Sequence, residues 1–163
     1  MNVEDFPLNR DVFFAINSRR HWLLDEFFKR FYIFGKGWFG IALAPVIYLL
    51  DKSLIIPYLI ALILCGVVVA ILKRTFRAKR PSASLSGVYI LENLKLKSFP
   101  SGDSALAALI ASSLFLCGIW QGVIYALIIG YGRVYMGVHY PLDVVVGWII
   151  GSLCLVLSVL LLG

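Results

Sequence analysis

Apolar and polar positions fall in long blocks along this chain rather than in short alternations. Leu54 to Leu72 is a run of 19 residues without a charge, Ser104 to Gly132 a run of 29, and Val144 to Gly163 a run of 20. A membrane-crossing helix needs about 20 consecutive apolar residues, so the first and last runs each predict one span. The middle run is too long for one and sufficient for two short ones, with a break at Gly118, Gln121 and Gly122. Trp38 to Leu50 is shorter and is closed by Asp51 and Lys52. Extended back through Gly37 and Lys36, with the lysine reaching for headgroups, it completes five predicted transmembrane helices.

The segment 1–36 has a different pattern. Phe13, Phe14, Ile16, Trp22, Leu23, Leu24, Phe27, Phe28 and Phe31 interleave with Arg10, Arg19, Arg20, Asp25, Glu26, Lys29 and Arg30. Trp22 to Phe31 places its apolar residues at helical spacing opposite charges, which predicts an amphipathic helix in the plane of the interface. A sixth span is the alternative, at the cost of putting four charges into lipid.

Composition narrows the class. The chain has 163 residues, 61% hydrophobic and 15% charged, with a mean hydropathy of +0.91. A soluble domain carries about 45–50% apolar and about 25% charged residues, and a chain this small cannot hide the excess. An ordinary soluble globule and a disordered chain are both excluded, which leaves an all-α integral membrane helical bundle of one domain, 1–163. Cys65, Cys117 and Cys154 lie inside apolar runs and read as small hydrophobes. Charges at Glu4, Asp5, Arg10 and Asp11 argue against a removable signal peptide. The formal charge is +6, and membrane lipids rather than nucleic acid are the expected partners.

Three polar groups resist a purely membrane-anchoring reading. Lys73 to Pro81 holds five cations in nine residues, and Pro81 disfavours helix at Arg80. Taken alone, these cations read as a collar touching headgroups. Pro100-Ser101-Gly102-Asp103 precedes an apolar run and reads as a helix start with Ser101 as N-cap. Such a start binds anions, although a plain capped helix accounts for it equally. Arg133, His139 and Asp143 flank Pro141, which suits the first position of the last helix. A carboxylate there can fix the tautomer of the imidazole and leave its other nitrogen free to attack. Counting spans from Leu54 onward puts all three groups on one membrane face, whereas Lys52 is the sole cation in the connections on the other.

K-x6-RP at Lys73 to Pro81, PSG at Pro100 to Gly102, and R-x5-H-x3-D at Arg133 to Asp143 resemble the three-part signature of the type 2 phosphatidic acid phosphatase family. The resemblance covers the core from Lys73 to Asp143 and the spans around it. It implies a metal-independent membrane phosphatase, without cofactor, acting on lipid phosphates or pyrophosphates. It implies that Lys73, Arg80 and Arg133 bind phosphate with Ser101 and Gly102. His139 would form a phosphohistidine, and Asp143 would orient it.

Two positions depart from that signature: Gly132 stands where a serine is usual, and Asp103 where the family has a histidine taken to protonate the leaving group. An aspartate among cations stays ionised and donates a proton poorly. The expectation is therefore a preference for good leaving groups, lipid A 1-phosphate first and undecaprenyl pyrophosphate with it; phosphatidylglycerophosphate is also expected as a substrate, because small bacterial members of the family resemble that phosphatase. A binding or transport protein that kept the phosphate site without the chemistry is the reading from another class, and a phosphotransferase is a third. The loop 82–99 and the N-terminal helix are expected as walls for headgroup and acyl chain. The resemblance implies a multi-pass protein of the bacterial inner membrane with its site on the periplasmic face. The positive-inside rule opposes this sidedness, because five spans put 14 of 15 cations on the motif face.

Overall fold

The computed structural model describes residues 7–94 and 97–162; positions 95 and 96 of the expected loop and the start of the segment 1–36 lie outside the described residues. The N-terminal third comprises helices α1 (Pro7–Asn17), α2 (Trp22–Phe31), α3 (Gly37–Ala42) and α4 (Ala44–Leu50). Short 3-10 turns at Tyr32–Gly35 and Lys52–Leu54 interrupt them. The rest is α5 (Ile55–Phe76), the single turn α6 (Pro81–Ser84), α7 (Gly102–Leu116), α8 (Gly122–Tyr135) and α9 (Pro141–Leu162).

The boundaries follow from local chemistry. The amphipathic helix expected over Trp22–Phe31 is α2, capped by the His21 imidazole, which accepts from the Leu23 amide. Ser101 caps α7 by accepting from the Ser104 amide, and Pro141 opens α9. The break between α7 and α8 contains Gly118 at φ +80. α5 continues a turn beyond Leu72 and stops at Arg77, whose backbone is left-handed at φ 49. Arg80 is then extended, as its neighbour Pro81 requires.

Length and apolar composition qualify two stretches to cross a membrane, Lys52–Ser84 and Pro141–Leu162. Trp22–Gly35 and Gly37–Leu50 qualify together as a pair bent by 61°. At 15 and 14 residues, α7 and α8 are each only about 21–23 Å long.

The centre of the bundle is the pair α7 and α9: α7 packs mainly against α9 and α8, and α5 packs chiefly on α9. Helices in lipid gain little from hydrophobic burial against one another, so small residues that permit close packing matter most. Here a Cβ on Gly147 would lie 2.5 Å from the Ser101 carbonyl oxygen, and one on Gly151 would overlap the Ala105 carbonyl outright. Tyr58, Ala61, Cys65, Ala105, Leu109, Cys154 and Leu155 fill this interior. The outward faces keep large apolar side chains such as Ile63 and Leu160, 69% and 76% exposed, as a lipid-facing surface requires. The N-terminal helices are docked as well as amphipathic. Phe13 of α1 is fully buried against Val134, Tyr140 and Val144, and Phe28 of α2 packs on Tyr135, Met136 and Val138. A Cβ at position 132 would lie 2.6 Å from the Phe28 ring, so in this fold Gly132 makes room for α2.

Candidate functional site

The three polar groups converge at one end of the α5–α7–α9 core. His139 follows the end of α8. The turn passes through Gly137 at φ +76, and the Val138 and His139 amides both donate to the Arg133 carbonyl at 3.2 Å. Asp143, in the first turn of α9, faces back toward His139. Its Oδ2 lies 3.4 Å from His139 Nδ1 and accepts from the Tyr140 amide at 3.0 Å and from the Ser98 hydroxyl at 2.5 Å. Ser98 Oγ lies 3.4 Å from the same Nδ1. On the other edge of the ring, Arg80 Nη1 points at His139 Nε2 from 3.3 Å and donates to the Val138 carbonyl at 2.6 Å. A donor facing Nε2 and acceptors facing Nδ1 select the tautomer protonated at Nδ1, with its lone pair on Nε2.

Burial makes that pair of nitrogens chemically definite. His139 and Asp143 are 2% and 0% exposed. Burial, followed by the charges of Arg133, Arg80, Lys73 and Lys36, holds the imidazole well below the usual histidine range. It is therefore neutral at physiological pH and nucleophilic rather than cationic.

The cations do not all point into one space. Lys73 Nζ donates to the carbonyls of Lys97 and Ser98 at 2.8 and 3.1 Å, which ties the loop after α6 over the site. Ser101 is fully buried, its amide donating to the Asp143 carbonyl and its hydroxyl engaged in the α7 cap. This joins α7 to α9 and leaves Gly102 and Asp103 to present the helix end. Arg133 is 1% exposed and belongs to a four-membered ion ring. Its Nη1 donates to Glu92 Oε2 at 2.7 Å, and its Nη2 lies 3.3 Å from Asp103 Oδ2. Lys36 Nζ closes the ring, 3.0 Å from Glu92 Oε1 and 3.0 Å from Asp103 Oδ2. Burial alone would raise the Glu92 carboxyl, but Arg133 and Lys36 outweigh it and hold the group below the usual carboxylate range. Arg133 Nε remains buried with no hydrogen-bond partner among the described residues. A buried unpaired donor is costly, and here it is suited to an incoming oxyanion.

Three members of this constellation stand outside the motifs. Lys36 is the lone cation in an otherwise apolar stretch, Glu92 the sole acid in the loop 82–99, and Ser98 carries no distinguishing sequence signal. The loop itself is pinned rather than hanging free. Asn17 bonds to Tyr89 at both N–H and C=O, and the Leu91 amide donates to the Met136 carbonyl. His21, the second histidine, caps α2 and takes no part in the site. No cluster of His, Cys, Asp and Glu suited to a metal occurs among the described residues. An apolar groove of about 670 Å³ runs between α3, α5 and α7 and ends at Gly102 and Asp103.

Known proteins share both the pattern and the architecture. The PAP2 superfamily profile matches residues 54–163. An undecaprenyl-diphosphatase of Sulfolobus acidocaldarius is 32% identical over 127 residues, which cover 75% of this chain and 62% of that protein. Across the relatives it matches, the chain spans between 54% and 62% of their length. The crystal structure of Aquifex aeolicus LpxE superposes with a TM-score of 0.90 at 41% identity, covering 98% of this chain and 99% of that one. A PAP2-type phosphatidylglycerolphosphate phosphatase from Bacillus subtilis has a TM-score of 0.77 at 22% identity over 94% and 84% of the two chains, a likeness of fold alone.

Proposed function

From the premise that this chain belongs to the PAP2 superfamily, we propose that it is a metal-independent membrane phosphatase acting on lipid-linked phosphates and pyrophosphates through a phosphohistidine. The observation that carries this reading is the neutral, buried His139 with Nε2 beside Arg80 and Nδ1 on the Asp143–Ser98 pair. Phosphoryl transfer needs positioning and charge stabilisation more than elaborate covalent chemistry. Arg80, the unpartnered Nε of Arg133 and the α7 helix end at Gly102 supply both, with Lys73 adding charge as it holds the loop. Asp143 orients His139 and stabilises the cation formed when Nε2 bonds to phosphorus.

The groove ending at Asp103 suits the hydrocarbon part of the substrate. Its walls are α3, α5 and α7, the segment 1–36 contributes Gly35 at their edge, and the loop 82–99 covers the polar end. Five spans, with α7 and α8 as short crossings and α2 at the interface, match the lipid-facing apolar surfaces. The site then opens at the periplasmic face of a bacterial inner membrane. For substrates we favour lipid A 1-phosphate, with undecaprenyl pyrophosphate and phosphatidylglycerophosphate as further substrates. The likeness to LpxE, which extends over nearly the whole chain, supports the first of these.

The test is phosphate release by purified protein in detergent micelles from these lipids and phosphatidic acid, for wild type and His139→Ala. Turnover by wild type and a loss of at least about 10³-fold in the variant are expected. No release from any lipid, with lipid binding retained, would favour the binding or transport reading. Loss of phosphate from the donor without free phosphate would favour a phosphotransferase.

A further inference from the structure

Within the ion ring Lys36 occupies a different position from Arg133. Its side chain is 27% exposed, against 2% for Arg133, and its chain neighbours Gly35 and Gly37 line the groove together with Gly102 and Asp103. A displacement in line with His139 Nε2 puts the leaving oxygen on the side of phosphorus away from the imidazole, toward the lipid. The apolar groove reaches Gly102 and Asp103, and a hydrocarbon chain lying in it would bring its oxygen to that end. Asp103 stands where the resembling signature has the residue that protonates the leaving group, and Lys36 Nζ lies 3.0 Å from its Oδ2. The charge of Lys36 is also felt at His139, among the cations that keep the ring neutral. Two carboxylates, Glu92 and Asp103, hold the ammonium in place from separate elements, the loop and the start of α7.

We propose that Lys36 is the general acid that protonates the leaving lipid oxygen, with Asp103 and Glu92 as positioning residues; this rests on the phosphatase reading above. In the first step His139 Nε2 bonds to phosphorus as the bond from phosphorus to the lipid oxygen breaks. The electron pair stays on that oxygen, which takes a proton from the Lys36 ammonium and departs, leaving Lys36 as an amine. In the second step water attacks phosphorus, the P–N bond breaks with its pair returning to Nε2, and the proton released by water restores the ammonium as orthophosphate leaves. The aspartate at position 103 then costs the enzyme little, because its role is to aim a donor rather than to be one.

The experiment compares two lipids with full-length protein in micelles. From phosphatidic acid the diacylglycerol oxygen leaves as an alkoxide and depends on protonation; from a polyprenyl pyrophosphate the polyprenyl phosphate leaves and depends on it far less. For Lys36→Gln we expect turnover of phosphatidic acid to fall about 100-fold or more, and that of the pyrophosphate by less than about 10-fold. Lys36→Arg keeps a cation for both carboxylates but does not surrender a proton, so the same selective loss is expected. Competitive inhibition by inorganic phosphate should stay within about 3-fold of wild type in both variants, which shows an intact phosphate site. Equal losses on both lipids, a Lys36→Arg variant as fast as wild type on phosphatidic acid, or phosphate inhibition weakened in step with turnover would each overturn the assignment. Wild-type protein inactive on both lipids would instead overturn the phosphatase reading, and the assignment with it.

Discussion

The two sides of the site are held by different physical means. On the His139 side every group is buried, and the contacts are neutral or dipolar: an imidazole, a serine hydroxyl, backbone amides and carbonyls, with Asp143 as the single anion and Arg80 facing it across the ring. On the Asp103 side two cations and two anions form a ring whose charges balance, and three of its four side chains are between 15% and 27% exposed. The nucleophile role proposed for His139 requires one tautomer and one orientation, and burial with directional hydrogen bonds enforces both. On the proposed reading the groove side admits a lipid and releases it. Charges there are worth less in their wetter surroundings, but they can regroup around an incoming phosphate.

The arginines offer the largest test of this contrast. Removing either donor should lower turnover by about 10²–10³-fold, but only Arg133→Ala should also lower stability markedly, by about 3 kcal/mol. Arg133 is the fully buried cation paired with both Glu92 and Asp103, whereas Arg80 donates to the Val138 carbonyl and faces the imidazole. Thermal unfolding of the two variants in the same detergent measures the difference, and equal losses would break the distinction between the two sides. Next in size is the pH response of His139. Because its folded value lies well below the ordinary histidine range of about 6.5, its ring resonance in NMR should not titrate between about pH 7.5 and 6. The unfolded chain takes up that proton near pH 6.5 and the folded chain does not, so stability falls as pH drops below that range. A midpoint for His139 near 6.5 would mean that the buried side is wetter than its geometry implies. The smallest effect is expected of Glu92→Gln. With one carboxylate neutralised, Arg133 is freer to meet an anion, and inhibition by inorganic phosphate should tighten a few-fold, on the order of 1 kcal/mol. Weaker inhibition would show that Glu92 positions Arg133 for phosphate rather than competing for it.

Much of the nucleophilic side was legible in the sequence. Pro81, Ser101 and Pro141 mark local backbone events, and the spacing of Arg133, His139 and Asp143 is short enough for one turn and one helix start to bring them together. The amphipathic pattern of Trp22–Phe31 likewise predicted α2 with its boundaries. The docking of α1 through Phe13 was not legible, because a fully buried face on a short amphipathic helix looks the same in sequence as one laid on lipid. Lys36 read as a cation reaching for headgroups, and Glu92 carried no signal that singled it out. Their partners lie 56 and 41 residues away along the chain, and no local period links them.

By itself the sequence determined the class of the protein, an apolar helical membrane chain, and picked out the residues proposed here to handle phosphate. These are properties of runs and short spacings, which backbone geometry converts directly into helices and their ends. Only the tertiary structure decided how those residues are occupied: Ser101 turned into its cap, Lys73 onto a loop, Arg133 into a ring with Glu92, Asp103 and Lys36. Side-chain pairing of that kind is set by which helix ends meet in space, as where the close approach of α7 and α9 at Gly147 and Gly151 puts the Ser101 amide on the Asp143 carbonyl.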